Sequence, residues 1–249
     1  MSHQILSPPS ASNIVEFSVS RREHFELFKG LSFKSYNVDD PDPATCDLKV
    51  YQDHLIHSFI VANVSKGARL LEIGGGDSRV LKYFSKDYEC WNVDKCEGLG
   101  NGPQGFSSPH FKIVYDYLGN ANPALPAAYF DLVFSISALE HTPEDQATRE
   151  AIGRDIQRVI KPGCPSFHLL DCIWRPDGKS WVNGLIPHFY KTMPVQTRFV
   201  PPAGLENDPG IYFMAEEPFN SWWAPLVGSQ YREYGRPFSM NVFWLASGH

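Results

Sequence analysis

The sequence predicts an α/β fold in which a doubly wound, mostly parallel sheet carries helices on both faces. Apolar runs of strand length alternate with helical patterns along the middle of the chain, and strands separated by such crossovers pair in parallel. One buried strand runs directly into three glycines that precede a helix, a turn typical of nucleotide-binding sheets. The 249 residues, 43% of them hydrophobic, suffice for one large core, so we expect a single domain over residues 1–249.

The N-terminal segment, residues 1–47, is predicted to form a lid over that domain. It holds one amphipathic stretch at about residues 21–29, and then prolines and aspartates at residues 39–43 that cannot continue a helix. A core helix follows, because Asp47 is a plausible N-cap and apolar residues recur at helical spacing as far as about Asn63.

Residues 48–173 are predicted to form the cofactor-binding core of the domain. After its first helix, the predicted elements are a strand at 68–73, a helix at 79–84, strands at 90–93, 111–114 and 130–136, a second long helix, and a strand at 166–172. The second long helix is expected to have Thr142 as its N-cap and Pro143 as its first residue. Residues 174–249 are expected to supply a substrate cover and terminal strands, the last at 241–246.

The overall charge of the chain narrows the possible partners. A formal net charge of -6 and a pI near 5.8 leave no basic stripe to neutralise phosphates, so we expect no nucleic acid partner. No stretch approaches the roughly 20 apolar residues that span a bilayer, and the first residues resemble no export signal. We therefore expect no membrane partner and a cytoplasmic protein, and no pattern indicates an oligomeric state.

Neither a disulfide framework nor a metal site is predicted. The five cysteines are odd in number, never fall as C-x-x-C, and mostly lie in apolar runs, which is typical of reduced thiols. His54 and His57 fall one helical turn apart, but no third ligand is near them in the sequence. We expect these two histidines to be exposed polar residues rather than metal ligands.

The most informative segment joins a buried strand to a helix through Gly74, Gly75 and Gly76. Glycines there let the backbone approach a ligand closely, although they could also form a tight turn without a ligand. A dinucleotide fingerprint needs a third glycine at the position of Arg79, so the segment favours a different ligand. Asp94 follows the second strand, 20 residues after Gly74, where nucleotide-binding folds place an acid on the ribose diol. Asp94 could otherwise be a surface acid at a strand end.

Several segments, taken together and in order, resemble the class I family of S-adenosylmethionine-dependent methyltransferases, of the small-molecule type. The family's first motif, E/D-x-G-x-G, is matched by E-I-G-G-G from Glu72, and the acid ending its second strand is matched by Asp94. D-Y-L from Asp116 is similar to the acid that meets the adenine amine and the apolar residue that covers the ring. F-D-L-V-F-S-I-S-A-L-E-H, ending at His141, resembles the family's fourth strand and the segment after it, and V-I-K-P-G from Val159 resembles the approach to strand five.

The resemblance covers about residues 70–172 and implies a seven-stranded sheet with its last strand inserted antiparallel. It implies S-adenosylmethionine as the cofactor, bound across the carboxyl ends of strands one, two and four, with Glu72 orienting its methionine end or the glycine loop. The cofactor-binding residues it implies are Glu72, Gly74, Gly75, Gly76, Asp94, Lys95, Asp116, Tyr117, Leu118, Ser135 and Ser137. One departure from the family is that Asp77, Ser78 and Arg79 follow the glycines, which leaves the contacts of Asp77 and Arg79 open.

His141 and Asp171 are the predicted catalytic residues. His141 would lie beside the methyl donor, where a neutral imidazole can take a proton from a hydroxyl or an amine, or it could shape the cofactor pocket without chemistry. Asp171, at the end of the fifth strand, could contact the substrate or cap a turn. We predict methyl transfer to an oxygen or nitrogen of a small soluble molecule, without a metal.

Two other functions stay open at this stage. A chain with the same glycine loop could bind the cofactor without chemistry, as an inactive module or a partner of an active subunit. An oxidoreductase using a nicotinamide cofactor is disfavoured by Arg79 and by Glu72 before the glycines. Aromatic residues follow the core and fit either packing or a substrate cover; they are Trp174, Trp181, Tyr190, Phe213, Phe219, Trp222, Trp223, Tyr231 and Tyr234.

Overall fold

The structure is a computed structural model that describes residues 15–29, 41–99, 102–175, 177, 180–182, 184–192 and 202–246. Its strands are β1 (Val15–Val19), β2 (Arg69–Ile73), β3 (Glu89–Val93), β4 (Lys112–Val114), β5 (Leu132–Ile136), β6 (Pro165–Trp174), β7 (Ser180–Trp181) and β8 (Arg236–Leu245). Its α-helices are α1 (Phe25–Phe28), α2 (Leu48–Asn63), α3 (Arg79–Phe84), α4 (Gln146–Val159), α5 (Leu185–Thr192), α6 (Pro202–Leu205), α7 (Glu216–Pro218), α8 (Ala224–Val227) and α9 (Tyr231–Tyr234). Short 3-10 turns occupy Arg22–His24 and Leu139–His141, and a π-helix occupies Phe219–Trp223.

One sheet organises these elements, in the strand order β1-β8-β6-β5-β2-β3-β4. The strands from β6 to β4 pair in parallel, whereas β8 runs antiparallel to both β6 and β1. The short strand β7 pairs with β6 outside this path. The predicted α/β fold, with a seven-stranded and mostly parallel sheet whose last strand is inserted antiparallel, is confirmed.

Part of the predicted lid belongs to the sheet. Residues 15–19 of the segment 1–47 form the edge strand β1, which pairs antiparallel with β8. Alternate residues of β1 are buried, as expected for a strand with one face on the core. This strand was not predicted, although its apolar residues alternate with polar ones in the sequence. Residues 1–14 and 30–40 of the predicted lid lie outside the described residues.

Two apolar layers, one on each face of the sheet, bury the strands. Helices α2 and α3 pack in one layer and α4 in the other, which places helices on both faces. The neighbouring residues Leu70 and Leu71 of β2 point into opposite layers, as the pleat requires. In the α2 layer, Phe167 of β6 stacks on Phe243 of β8 with ring centroids 3.5 Å apart, and Phe59 packs against both. The carboxyl edge of the sheet is therefore held by a rigid, double-sided core.

The two long helices begin at acidic N-caps. α2 starts after Asp47, as predicted, and the Asp47 carboxylate accepts a hydrogen bond from a backbone N–H of the first turn. α4 starts later than predicted because Asp145, rather than Thr142, is its N-cap and accepts from the backbone N–H of Thr148. The Thr142 hydroxyl instead donates to a carbonyl of the preceding 3-10 turn.

His54 and His57 are buried, contrary to the predicted exposure, because α2 is covered by the sheet, α1 and α3. The Nδ1 atom of His54 lies 2.7 Å from the carbonyl oxygen of Val50, and the His57 ring packs on Tyr83 and Phe84. Burial lowers the pKa of each histidine to about 4, so both are neutral at pH 7. Among the described residues, no group of three His, Cys, Asp or Glu side chains could hold a metal ion.

All five cysteines are free, and only Cys164 is more than slightly exposed. Burial raises the pKa of Cys46 and of Cys90 to about 12, so these thiols stay protonated at neutral pH. The helices that the structure describes include none that is long and apolar enough to cross a membrane.

Candidate functional site

The candidate site lies where the carboxyl ends of β2, β3, β5 and β6 meet, beside the first turns of α2. Doubly wound parallel sheets bind their ligands at this edge. An open cleft of about 390 Å³ is found there. Its lining residues are Lys49, Asp53, Glu72, Gly74, Gly75, Asp77, Ser78, Arg79 and Ile136.

The glycine loop that follows β2 requires glycine for two reasons. Gly74 and Gly76 have φ values of +67° and +52°, in the left-handed region that side chains rarely adopt. A Cβ atom on Gly74 would lie 2.6 Å from the Cβ atom of Ala138, and one on Gly75 would lie 2.6 Å from the Cδ atom of Glu72. The loop is therefore pressed between the end of β5 and its own strand.

Side chains of β3 hold the glycine loop through its backbone. Asn92 accepts a hydrogen bond from the Gly75 N–H (3.1 Å) and donates to the Gly76 carbonyl (3.0 Å). Asp94 accepts from the Gly76 N–H (2.8 Å) with one oxygen and from the Cys96 N–H (2.7 Å) with the other. The structure thus brings Asp94 to the loop, as its spacing predicts. Asn92 was missed, although a polar residue inside the apolar run of β3 was the signal.

Glu72 is buried beneath the loop, where the Ser78 hydroxyl donates a hydrogen bond to its carboxyl group. Ser78 also accepts from the Leu81 N–H (3.0 Å) and so caps α3. Burial raises the pKa of Glu72 to about 8, despite the opposing hydrogen bond from Ser78, and the nearby Asp53 adds to the rise. Glu72 is therefore largely protonated at pH 7.

Replacing Glu72 with glutamine is expected to flatten the dependence of stability on pH. The folded pKa of about 8 lies above the usual 4.5, so the stability that protonation contributes is complete below pH 4.5 and is lost as the pH rises through 8. The free energy of unfolding of the wild type should therefore fall, relative to Glu72→Gln, by about 4 kcal/mol between pH 5 and pH 8.5. Urea denaturation at both pH values measures this. The exposed Glu144→Gln variant should follow the wild type, and equal slopes for all three proteins would contradict the assignment.

Three charged residues on the walls of the cleft, Asp53, Asp77 and Arg79, form ion pairs. The Arg79 guanidinium lies 2.5 Å from the Asp53 carboxylate of α2, and Lys82 lies 2.5 Å from Asp77. Burial raises the pKa of Asp53 to about 6, against the opposing charge of Arg79. The sequence left the contacts of Asp77 and Arg79 open. In the structure, Asp77 pairs with α3 and Arg79 pairs with α2.

Asp116, after β4, is held by three donors: the side-chain amides of Asn122 (2.7 Å) and Asn120 (2.6 Å) and the backbone N–H of Tyr117 (2.8 Å). Desolvation would raise the pKa of Asp116, but these hydrogen bonds outweigh it and hold the pKa below the ordinary value. Leu118 is buried in the core, whereas the Tyr117 side chain is 48% exposed. Of the two apolar candidates beside this acid, Tyr117 is therefore the one that reaches the surface.

Lys95 and Ser135 occupy different environments. The Lys95 ammonium lies 2.6 Å from Glu97 and 5.1 Å from the centroid of the Tyr117 ring, on the exposed side of the strand ends. Ser135 is fully buried within β5, and its hydroxyl lies 2.9 Å from the Nδ1 atom of His168. The structure therefore places Ser135 inside the sheet layer rather than on the cleft.

A second group of polar side chains gathers beyond the end of β5. The Ser137 hydroxyl lies 2.7 Å from the Asp171 Oδ1 atom and 2.6 Å from the Gln52 Oε1 atom. The Asp171 backbone N–H donates to Glu140 (3.2 Å), a buried residue whose pKa is raised well above its ordinary value by desolvation and by the Asp171 charge. Desolvation also lowers the pKa of His141 below 6.5, although Asp171 opposes this. Gln52 was missed because nothing in the sequence links it to Asp171.

The aromatic residues of the C-terminal region divide between core and surface. Trp174, Phe213 and Phe219 are buried, whereas Trp222 is 66% exposed. Trp223 of the π-helix donates from its indole N–H to Asp47 (3.1 Å), which attaches this region to the start of α2. The Phe219, Tyr231 and Tyr234 rings pack together; Trp181 is partly exposed, and the side chain of Tyr190 lies outside the described residues.

Residues 71–165 match a family model described as a methyltransferase domain. The matched segment is less than half of the chain, and it contains the glycine loop, Asp94, Asp116 and His141. No curated protein sequence matches the chain.

Three solved structures are among those to which the chain is similar. A TehB-like S-adenosylmethionine-dependent methyltransferase from Corynebacterium glutamicum is 17% identical, with 76% of this chain and 86% of that chain covered and a TM-score of 0.43. A geranyl diphosphate C-methyltransferase from Streptomyces coelicolor A3(2) is 11% identical, with 83% and 88% covered and a TM-score of 0.45. An S-adenosylmethionine-dependent methyltransferase from Methanosarcina mazei is 15% identical, with 76% and 97% covered and a TM-score of 0.40.

Proposed function

We propose that the chain is a class I methyltransferase that uses S-adenosylmethionine and methylates an oxygen or nitrogen atom of a small soluble molecule. The match of residues 71–165 to a family model described as a methyltransferase domain supports this. The observation that carries this is the cleft at the carboxyl edge of the sheet, walled by the glycine loop and by Ile136 at the end of β5. Ser137, the next residue, lies within hydrogen-bond distance of Gln52 and Asp171, and such polar groups suit a small acceptor with a hydrogen-bonding group.

The residues around the cleft fit the parts of this cofactor. Asp94, at the end of β3, offers carboxylate oxygens to a ribose diol, and Asp116 offers an ionised acceptor to an adenine amine. The exposed ring of Tyr117 offers an apolar face beside Asp116. Lys49 on the wall of the cleft provides a cationic group for a carboxylate.

When bound, the cofactor supplies a methyl group on a positively charged sulfur, already activated for direct displacement. The residues of the chain then have three tasks: holding the acceptor in line, excluding water, and taking up the proton of an O–H or N–H acceptor. Aromatic residues from the π-helix and α9 can exclude water near Asp171. The proton acceptor is one of the two predicted catalytic residues, His141 or Asp171.

Calorimetric titration with S-adenosylmethionine tests the cofactor part of the proposal, with NADH and NADPH as controls. We expect saturable binding of S-adenosylmethionine and none of either nicotinamide cofactor. Transfer of radiolabel from S-[methyl-³H]adenosylmethionine to a panel of small amines, phenols and alcohols tests the acceptor class. Binding without transfer to any of these compounds would contradict the proposed acceptor class and favour a cofactor-binding module without this chemistry.

A further inference from the structure

We propose that Asp171 is the group that takes the proton of the methyl acceptor, and that Gln52 and Ser137 position its carboxylate. The inference rests on the proposed function and selects between its two candidate proton acceptors. It implies an acceptor that presents an N–H or O–H group to a fixed carboxylate oxygen.

One oxygen of Asp171 is held and the other is left for a ligand. The Gln52 side-chain amide donates to the Oδ1 atom (2.9 Å), and the Ser137 hydroxyl lies 2.7 Å from the same atom. The Ser137 hydroxyl also lies 2.6 Å from the Gln52 Oε1 atom, so the three side chains close a triangle. No hydrogen bond to the Oδ2 atom is formed by any residue that the structure describes. Donors to one oxygen of a carboxylate fix the direction of the other.

A buried network fixes Gln52 in turn. Its side-chain amide donates to the Ser239 hydroxyl (3.2 Å), and Ser239 is the cross-strand partner of Asp171 in the pairing of β6 with β8. Ser239 donates to the Asn241 side chain (3.0 Å), and its backbone N–H donates to the Ser20 hydroxyl (3.0 Å). All of these residues except Asp171 are buried, so Gln52 cannot rotate without leaving polar groups unpaired.

Ser137 shows a second sign of constraint, in its backbone. Its φ value of +45° lies in the left-handed region, which is costly for a residue other than glycine. A hydrogen bond from the Ser137 N–H to the Leu169 carbonyl (2.9 Å) holds this conformation at the end of β5. Strained residues of this kind concentrate at functional sites, where the surrounding structure keeps them in place. Here the strain directs the hydroxyl toward Asp171.

The two neighbouring titratable groups are less suited to the task. The His141 ring forms no side-chain hydrogen bond with any residue in the described part of the chain. A base that is not oriented by a partner loses the advantage of fixed geometry. Glu140 is buried, and desolvation raises its pKa well above the ordinary value, which favours the neutral form over the carboxylate that a base requires.

The proposed reaction transfers a methyl group to the acceptor and a proton from the acceptor to Asp171. An electron pair of the acceptor nitrogen or oxygen forms the new bond to the methyl carbon, while the pair of the breaking sulfur–carbon bond stays on sulfur. The acceptor gives its proton to the Oδ2 atom of Asp171, which returns it to water after the product leaves. The negative charge of Asp171 is neutralised in the same step that removes the positive charge from sulfur.

Two variants test the positioning roles by different routes. Gln52→Met keeps the side-chain volume and removes both polar ends, whereas Ser137→Gly removes the hydroxyl and relieves the backbone strain. Gln146→Met is the matched control, since it makes the same exchange at an exposed position of α4, where the Gln146 amide donates to Glu150 and is remote in sequence from the Asp171 network. The readouts are the affinity for S-adenosylmethionine, kcat with the best compound of the amine, phenol and alcohol panel, and the ¹³C carboxyl signal of Asp171, identified by its absence in Asp171→Asn.

We expect Gln52→Met and Ser137→Gly to lower kcat by about ten- to a hundredfold, with an unchanged affinity for S-adenosylmethionine. Both should shift the Asp171 carboxyl signal, and Gln146→Met should leave the signal in place. A lower kcat in Ser137→Gly could not be explained by a loss of stability, because this variant is expected to be at least as stable as the wild type. An unmoved carboxyl signal in both variants, or a weaker cofactor affinity with normal kcat, would overturn the inference. If the wild type binds no S-adenosylmethionine, the proposed function itself fails, and the carboxyl signal still tests the geometry.

Discussion

Asp94→Ala is expected to weaken binding of S-adenosylmethionine by about a hundredfold or more. A carboxylate that accepts two hydroxyl hydrogen bonds contributes about 1.5–3 kcal/mol for each, and about 1.4 kcal/mol corresponds to a factor of ten. In the structure, Asp94 also holds the backbone N–H groups of Gly76 and Cys96, so the alanine variant loses the shape of the loop as well. Calorimetric titration of the purified variant measures the effect.

Two further variants separate binding from folding. Asp94→Asn keeps one side-chain oxygen as an acceptor and should lose less affinity than Asp94→Ala. Asp87→Ala removes an exposed acid at the other end of β3, paired only with Lys66 in the described contacts, and should bind like the wild type. Wild-type affinity in a folded Asp94→Ala protein would remove Asp94 from the cofactor site.

Gly74→Ala is expected to lower the free energy of unfolding by about 2–5 kcal/mol. The left-handed backbone at φ +67° costs about 1–2 kcal/mol for a residue with a side chain. The new Cβ atom would also lie 2.6 Å from the Cβ atom of Ala138, and such overpacking costs about 1–3 kcal/mol. Thermal and urea denaturation measure the sum.

Gly67→Ala is the matched control for this prediction. Gly67 has a similar φ of +82°, but nothing lies within 4 Å of its Cβ position, so only the backbone cost remains. The double variant Gly74→Ala, Ala138→Gly should recover most of the difference between the two single variants, because it removes the colliding methyl group. Equal losses in Gly74→Ala and Gly67→Ala would show that the loop is not pressed against the end of β5.

Local signals made the glycine loop predictable. Its glycines are required by the backbone itself, and Asp94 follows from the regular length of a strand–helix–strand unit. The start of α4 was misplaced because Thr142 and Asp145 both have the chemistry of an N-cap, and only the hydrogen bond to Thr148 distinguishes them. The surroundings of other candidate residues depend on long-range packing and could not be read from the sequence: Ser135 lies within the sheet layer, and Leu118 is buried in the core.

The sequence by itself determined the parallel core of the sheet and the loop at its edge, because apolar periodicity and positive φ values are properties of neighbouring residues. Only the tertiary structure decided that β1 closes the far edge, that His54 and His57 are buried, and that Gln52 meets Asp171 across 119 positions of the chain. Helical spacing shows which residues share a face of α2, but not what that face packs against. That depends on the free energy of burying the whole layer, which no local segment contains.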